Sequence, residues 1–287
     1  MIKVIIPVAC ATLLLTAGRT VAAVGIGPSF KGPLGLQLYS LRAEFGKDVP
    51  GTMDLVKQLG FQYAELAGTY KLAPEKLKAE LDARGIKAVA GHFSYDLLRD
   101  NPEAVAKDAK AMGLSYVGFA WIPHQGKFTE KTAREAAAVL NKAGEVFAKY
   151  GMKAYYHNHG YEFEPYGDGT LMDLLIQETK PELVTFEMDI LWVYFPAQDP
   201  AKLLKKHPGR WELVHLKDLK KGVATGELTG KTDVKNDVAL GAGQIDLKAM
   251  LKAGAEVGVK YYFIEDESPT VKEQLPQSLK FLESVTW

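Results

Sequence analysis

The sequence predicts a single (β/α)8 barrel, and three features carry that prediction. After Pro33, short apolar runs rich in β-branched and aromatic residues alternate eight times with helical patterns. They do so within roughly 250 residues, the count and size of such a barrel. Glycine closes the helical pattern at Leu59-Gly60, Arg84-Gly85, Met112-Gly113, Tyr150-Gly151 and Val257-Gly258, where a chain leaving a helix often enters the left-handed region. Four strand-like runs end in acid or imidazole groups, placed where barrel enzymes carry their chemistry. A doubly wound open sheet is the competing architecture. No Gly-x-Gly-x-x-Gly follows the first strand, which counts against it.

Taken in order, the expected strands are Leu34–Tyr39, Tyr63–Leu66, Lys87–Phe93, Tyr116–Trp121, Lys153–His159, Val184–Asp189, Glu212–Leu216 and Tyr261–Glu265. The helices that follow them are Thr52–Leu59, Pro74–Arg84, Pro102–Met112, Glu130–Tyr150, Leu171–Glu178, Pro200–Lys206, Leu247–Val257 and Val271–Ser284. No low-complexity linker interrupts the series, so one domain is expected over residues 24–287. The longest irregular segment, Lys220–Gly243, follows the seventh strand and would lie over the C-terminal face; loops this long are usually functional or disordered.

Residues 1–23 read as a signal peptide. Met1-Ile2-Lys3 is a short basic start, Val4 to Ala17 carries no charge, and Val21-Ala22-Ala23 supplies small residues for cleavage after Ala23. The apolar run is short for a membrane span. A mature chain would have 287 − 23 = 264 residues and would lose Cys10, the only cysteine, so its stability would rest on a large core rather than on disulfides. Removing Lys3 and Arg19 leaves 33 basic and 35 acidic residues, a net charge of −2. The expectation is a soluble periplasmic or secreted protein with no stable membrane insertion once the signal is gone. No basic block is present, which argues against nucleic acid as a partner. Homo-oligomerisation is compatible with the sequence.

The chemistry sits at the strand ends. Asp189, His215 and Glu265 each follow a run that would be buried, and a buried carboxylate is costly unless paired or bound to a cation. Acid and imidazole groups converging from separate strands suit one divalent metal ion: Mn, Mg, Zn or Co. Strand alternation puts His157 and His159 on one face, where either could ligate metal, contact substrate or move a proton. Two hydrogen-bonded core histidines would look the same. Glu162 lies just beyond, within reach of the cation. Lys217 points with His215 and is a candidate to stabilise an enolate oxygen or donate a proton, or to pair with Glu187 or Asp189. Gln37, Tyr39, Glu65, His92, Trp121, Glu187 and Trp192 would line the same mouth. Amides and carboxylates there suit hydroxyls, and aromatic faces suit C–H surfaces, so a small carbohydrate is the expected substrate. Gly241-x-Gly243 would allow close approach to a ligand or make a turn. Gly-x-Ser-x-Gly and His-Glu-x-x-His are absent, so the familiar hydrolase elbow and zincin routes have no support.

Tyr156-His157-Asn158-His159, Phe186-Glu187-Met188-Asp189, Val214-His215-Leu216-Lys217-Asp218, Leu240-Gly241-x-Gly243-x-Ile245-Asp246 and Ile264-Glu265 together resemble the sugar phosphate isomerase/epimerase superfamily, the xylose-isomerase-like or AP-endonuclease-family-2 barrels. The resemblance runs from about Leu34 to Leu282. It implies one divalent metal held by Glu, Asp, His and Glu on strands five to eight, with Asp189, His215 and Glu265 in three of those places. The chain departs from the pattern on strand five, where His157 stands at the expected glutamate. His157, His159 or Glu162 would then supply the fourth ligand, and Glu162 is favoured because it keeps three carboxylates around the cation. The implied activity is isomerisation or epimerisation of an unphosphorylated carbohydrate through an enediolate. The alternatives are lyase or dehydratase chemistry on a keto-sugar or 3-keto-glycoside, or an exported carbohydrate-binding protein without turnover. Since epimerases of the family trade a proton between two metal-bound glutamates, losing one from strand five counts against simple epimerisation. A metal-dependent phosphodiesterase on the same barrel would need more histidines and a basic groove.

Overall fold

The computed structural model describes residues 24–287; the expected signal peptide and its cleavage site at Ala23 fall outside the described residues. Eight parallel strands close into a barrel: β1 (Leu34–Gln37), β2 (Tyr63–Leu66), β3 (Lys87–His92), β4 (Tyr116–Phe119), β5 (Lys153–His157), β6 (Val184–Asp189), β7 (Trp211–Leu216) and β8 (Tyr261–Ile264). Neighbours pair in chain order, and β8 returns to β1 through Leu36↔Ile264. The intervening helices are α1 (Val49–Gln58), α2 (Pro74–Asp82), α3 (Pro102–Met112), α4 (Glu130–Ala148), α5 (Leu171–Gln177), α6 (Pro200–Lys206), α7 (Leu247–Val257) and α8 (Val271–Ser284).

Several expected strands end earlier than the sequence suggests, and local hydrogen bonding explains one of them. The Gln37 side chain accepts from Tyr39 N at 3.0 Å, which caps a 3-10 turn at Leu38–Leu41 and takes Tyr39 out of β1. Trp121 and His159 likewise lie beyond β4 and β5. Short helices at Tyr95–Asp100 and Ile190–Tyr194 were not expected. Each is capped by a side chain, Ser94 or Asp189, and one turn or so is too short to show an amphipathic period.

Strand alternation divides the core in two. Val89, Ala90, Tyr116, Tyr155, Leu213 and Phe263 fill the barrel interior. A larger apolar layer lies between strands and helices. Above the interior plug, β5, β6 and β7 point polar groups inward at every second residue. The plug therefore forms a floor for the site.

The long segment after β7 is pinned by one carboxylate. Asp218 accepts backbone N–H bonds from Leu219 (2.9 Å), Gly241 (3.0 Å), Gly243 (2.9 Å) and Ile245 (3.2 Å). A Cβ on Gly243 would come within 2.1 Å of Asp218 Oδ1. The Gly241-x-Gly243 motif thus makes a turn around Asp218.

Candidate metal centre and its cavity

Register brings the polar groups together. His157 on β5 stands opposite Glu187 on β6, and Asp189 at the end of β6 stands opposite His215 on β7. His157, Asp189, His215 and Glu265 each offer a donor atom, all within 4.8 Å of one another. Asp189 caps the helix Ile190–Tyr194: its Oδ1 accepts from Leu191 N at 2.9 Å and Trp192 N at 3.1 Å. Its Oδ2 is buried and has no hydrogen-bond partner among the described residues. Such an orphaned oxygen is costly in isolation. Beside two imidazoles and a second carboxylate, it fits the donor set of a divalent cation.

The electrostatics agree. Burial pushes Asp189 up to about 7, against the pull of Lys217. Burial also acts to raise Glu265, but Lys217 and then His215 outweigh it and hold the carboxylate well below its usual range. Burial and the neighbouring His215 bring His157 down to about 4, so its imidazole is neutral. His215 is buried too, yet Glu187, Glu65 and Glu265 raise it well above the ordinary histidine value. A cation arriving in this site would therefore displace protons.

Beneath lies a second tier. Glu187 Oε2 faces His92 Nε2 (3.3 Å), His157 Nδ1 (3.3 Å) and His215 Nε2 (3.1 Å). Glu65 receives Tyr155 Oη–H and lies 2.5 Å from His215 Nε2. His92, His157, Glu187 and His215 also have donor atoms within 4.8 Å of one another. Lys217, 2% exposed, sits to the side at 2.8 Å from Glu267 Oε1 and 3.3 Å from Glu265 Oε2. Burial would lower it, but Glu265, Asp189, Asp237 and Glu267 together hold it well above the ordinary lysine value.

Above this candidate donor set opens a cavity of about 600 Å³, walled by Tyr39, His92, Trp121, His159 and Trp192, with His157 and Glu265 at its base. Of the residues expected to meet substrate, Tyr39, His92, Trp121 and Trp192 line it. Gln37, Glu65 and Glu187 do not: each is fully buried, because the strands carry their inward side chains in tiers and these belong to the lower one, between the plug and the cavity. Glu162, favoured as the fourth ligand, is also displaced. It accepts from the Tyr156 hydroxyl and from His159 N (2.8 Å), on the face of β5 that packs toward the helices. Burial pushes it up to about 7. His157 stands with the ligand set instead. His159 lines the cavity with Nδ1 buried and unpartnered; burial, His157 and Lys217 keep it well below its ordinary value, hence neutral.

Two acids and one loop face escaped the sequence reading. Glu267 lines the cavity and holds Lys217; its place two residues after Glu265, on the same face, was the available signal. Asp237 accepts from Glu267 N at 3.0 Å and lines the cavity with Gly230, Lys231 and Thr232. Only the fold of the loop after β7 brings these residues over the site.

The chain belongs to the xylose isomerase-like TIM barrel family, whose model matches residues 53–285. It is similar to an inosose dehydratase of Clostridium botulinum, 26% identical over 253 residues that cover 77% of this chain and 83% of the relative. Among solved structures it resembles a sugar phosphate isomerase/epimerase from Parabacteroides distasonis, with 22% identity and a TM-score of 0.74 over 88% of this chain and 96% of that one. It also resembles the IOLI protein with a bound zinc atom, with 16% identity and a TM-score of 0.68 over 87% and 94% of the two chains. At these identities the two structures bear on the fold alone.

Proposed function

We propose that the chain is a divalent-metal-dependent lyase that removes a β-oxygen substituent, such as water, from an unphosphorylated keto-polyol or keto-sugar. The observation that carries this reading is the four-residue donor set at the base of an aromatic-walled cavity, with Asp189 Oδ2 left unpartnered. A cation held by His157, Asp189, His215 and Glu265 would polarise a ketone oxygen and acidify the adjacent C–H. The likeness to dehydratases favours elimination over the isomerase or epimerase reading that the sequence first suggests. The two share the same first proton abstraction.

His159 is the assigned proton acceptor: it is neutral, its Nδ1 makes no hydrogen bond, and it borders the cavity. Its imidazole takes the α-proton, and the C–H electron pair forms the C=C bond. The β C–O bond breaks with its pair on oxygen, and the proton on His159 completes the departing water. Lys217 holds Glu265 and Glu267 in place. Tyr39, Trp121 and Trp192 cover C–H faces and narrow the entry of water. Asp237, Glu265 and Glu267 outnumber Lys231 along the lining, and an acidic lining disfavours a phosphate ester.

The test is to load the purified protein with Mn²⁺, Co²⁺ or Zn²⁺, supply an inosose, and follow enone absorbance and product mass. A product lighter by one water supports the lyase. An isomer of unchanged mass, with solvent deuterium incorporated, would return the reading to isomerisation. Substrate bound but recovered unchanged would leave a carbohydrate-binding protein. Export is part of the proposal: the N-terminus of the protein recovered from cells should begin at Val24.

A further inference from the structure

The two histidines common to both tiers each stand between carboxylates. His157 directs Nδ1 at Glu187 Oε2 (3.3 Å) and Nε2 at Asp189 Oδ2 (3.8 Å). His215 turns Nε2 to Glu65 (2.5 Å) and Glu187 (3.1 Å), and Nδ1 to Glu265 (3.0 Å) and Asp189 (3.9 Å). A neutral imidazole has one proton to place, and the nitrogen that carries it cannot bind a cation.

We infer that Glu187 is the positioning residue that sets this choice. It accepts the Nδ1 proton of His157 and leaves the Nε2 lone pair facing Asp189. The cation site is then the upper set, His157, Asp189, His215 and Glu265, and the lower set, His92, His157, Glu187 and His215, is its support. The bond to Glu187 is the one hydrogen bond that the His157 ring makes among the described residues. Glu65 plays the same part for His215, whose Nε2 lies closest to it. Glu187 Oε2 is surrounded by three imidazole nitrogens, whereas Asp189 Oδ2 receives no hydrogen bond. An oxygen crowded with donors orients ligands, and a bare one is free to become a ligand. Glu187 Oε1 is also unpartnered, so the lower set is the arrangement the test must exclude. The inference rests on the metal reading above. It accounts for how a histidine on β5 can stand where the resemblance implies a glutamate: the carboxylate has moved one strand over and one tier down.

Two measurements decide it. In metal-free wild-type protein, long-range ¹H–¹⁵N spectra of the six histidines report the tautomers, with His157 assigned from a His157→Asn sample. A protonated Nδ1 and bare Nε2 on His157 are expected; the opposite tautomer overturns the inference. This measurement stands even where Glu187→Gln and Asp189→Asn fail to fold. Second, Co²⁺ uptake is followed by visible absorption in wild type, Glu187→Gln and Asp189→Asn, with folding checked by circular dichroism. Glu187→Gln should keep the wild-type stoichiometry and lose about 10- to 100-fold in affinity, the usual cost of losing a support of this kind; Asp189→Asn should lose the site. Wild-type affinity in Glu187→Gln overturns the inference, as does binding lost in Glu187→Gln but kept in Asp189→Asn. Those results would leave the lyase reading standing. A wild type that takes up neither Co²⁺ nor Zn²⁺ defeats the metal reading and the inference together.

Discussion

Replacing Lys217 by methionine removes an ammonium while keeping most of its stem. The side chain is 2% exposed, and Nζ lies 2.8 Å from Glu267, 3.3 Å from Glu265, 3.7 Å from Asp189 and 3.8 Å from Asp237. At an effective dielectric near 20, one pair at the Glu265 distance attracts by about 5 kcal/mol. Desolvation of the buried ions offsets part of that, and removing one side of such a buried pair typically costs about 3–5 kcal/mol. For a chain of this size the melting temperature should fall by about 6–20 °C. The pH dependence follows from the two partners. Lys217 is raised in the folded state, so its contribution is complete below its unfolded value and is lost only as pH rises through the folded one. Glu265 is lowered, so its contribution is present above its ordinary value and is lost as pH falls through the depressed one. Asp189, at about 7, and Asp237, at about 6, ionise beside the ammonium within the neutral range, so the difference between wild type and Lys217→Met should widen from about pH 5 to 8, hold to about pH 9, and narrow further in stronger acid. Thermal melts of metal-free protein across that range measure it. A melting temperature within about 2 °C of wild type at neutral pH would refute the view that Lys217 holds the surrounding acids together.

Three further outcomes follow from the same geometry. Cation affinity should rise by about tenfold or more per pH unit below 7, since binding displaces a proton from Asp189, which burial pushes up to about 7, and from the raised His215. Isothermal titration at pH 5.5, 6.5 and 7.5 checks it, and a pH-independent affinity contradicts the assigned ligands. Glu162→Gln should leave cation stoichiometry unchanged and affinity within about twofold of wild type, because Glu162 faces Tyr156 away from the donor set; loss of the metal by mass spectrometry would return Glu162 to the site. Gly243→Ala should cost about 1–3 kcal/mol in urea unfolding, because its Cβ meets Asp218 and the turn around that carboxylate must shift.

Much of this barrel is legible in the sequence because its periods are long and clean. Pro102–Met112, Pro200–Lys206, Leu247–Val257 and Val271–Ser284 match the expected helices end to end, each carried by an apolar face and, in two cases, a Pro start. Asp189, His215 and Glu265 are readable as candidate ligands because each comes after buried residues of its strand. Tiering is not readable. Alternation says that Gln37, Glu65 and Glu187 point inward, and they do. How far each lies below the rim depends on strand stagger, which no local pattern encodes. The wall made by Gly230–Thr232 and Asp237 is equally hidden, since a loop's path over the barrel is set by one distant carboxylate, Asp218.

Glu162 shows where charge counting fails. Three carboxylates around a cation is reasonable electrostatics, but reach is decided by the backbone after β5. There the chain enters a 3-10 turn at Tyr161–Phe163, and Glu162 is drawn to Tyr156 on the outer face of the strand. His157 has no such freedom: it is the last residue of β5 and is in register with Glu187. The exchange bears on the reaction. Proton trading between two faces of a substrate needs a base on each face, and a histidine that gives its lone pair to a metal cannot serve as one. Were His157 so engaged, Glu265 and the neutral His159 would be left on the cavity side, unequal in charge. Under the proposed metal reading, that asymmetry would suit a proton removed once and passed to a departing oxygen better than a proton exchanged between equivalent carboxylates, which supports the elimination proposed above.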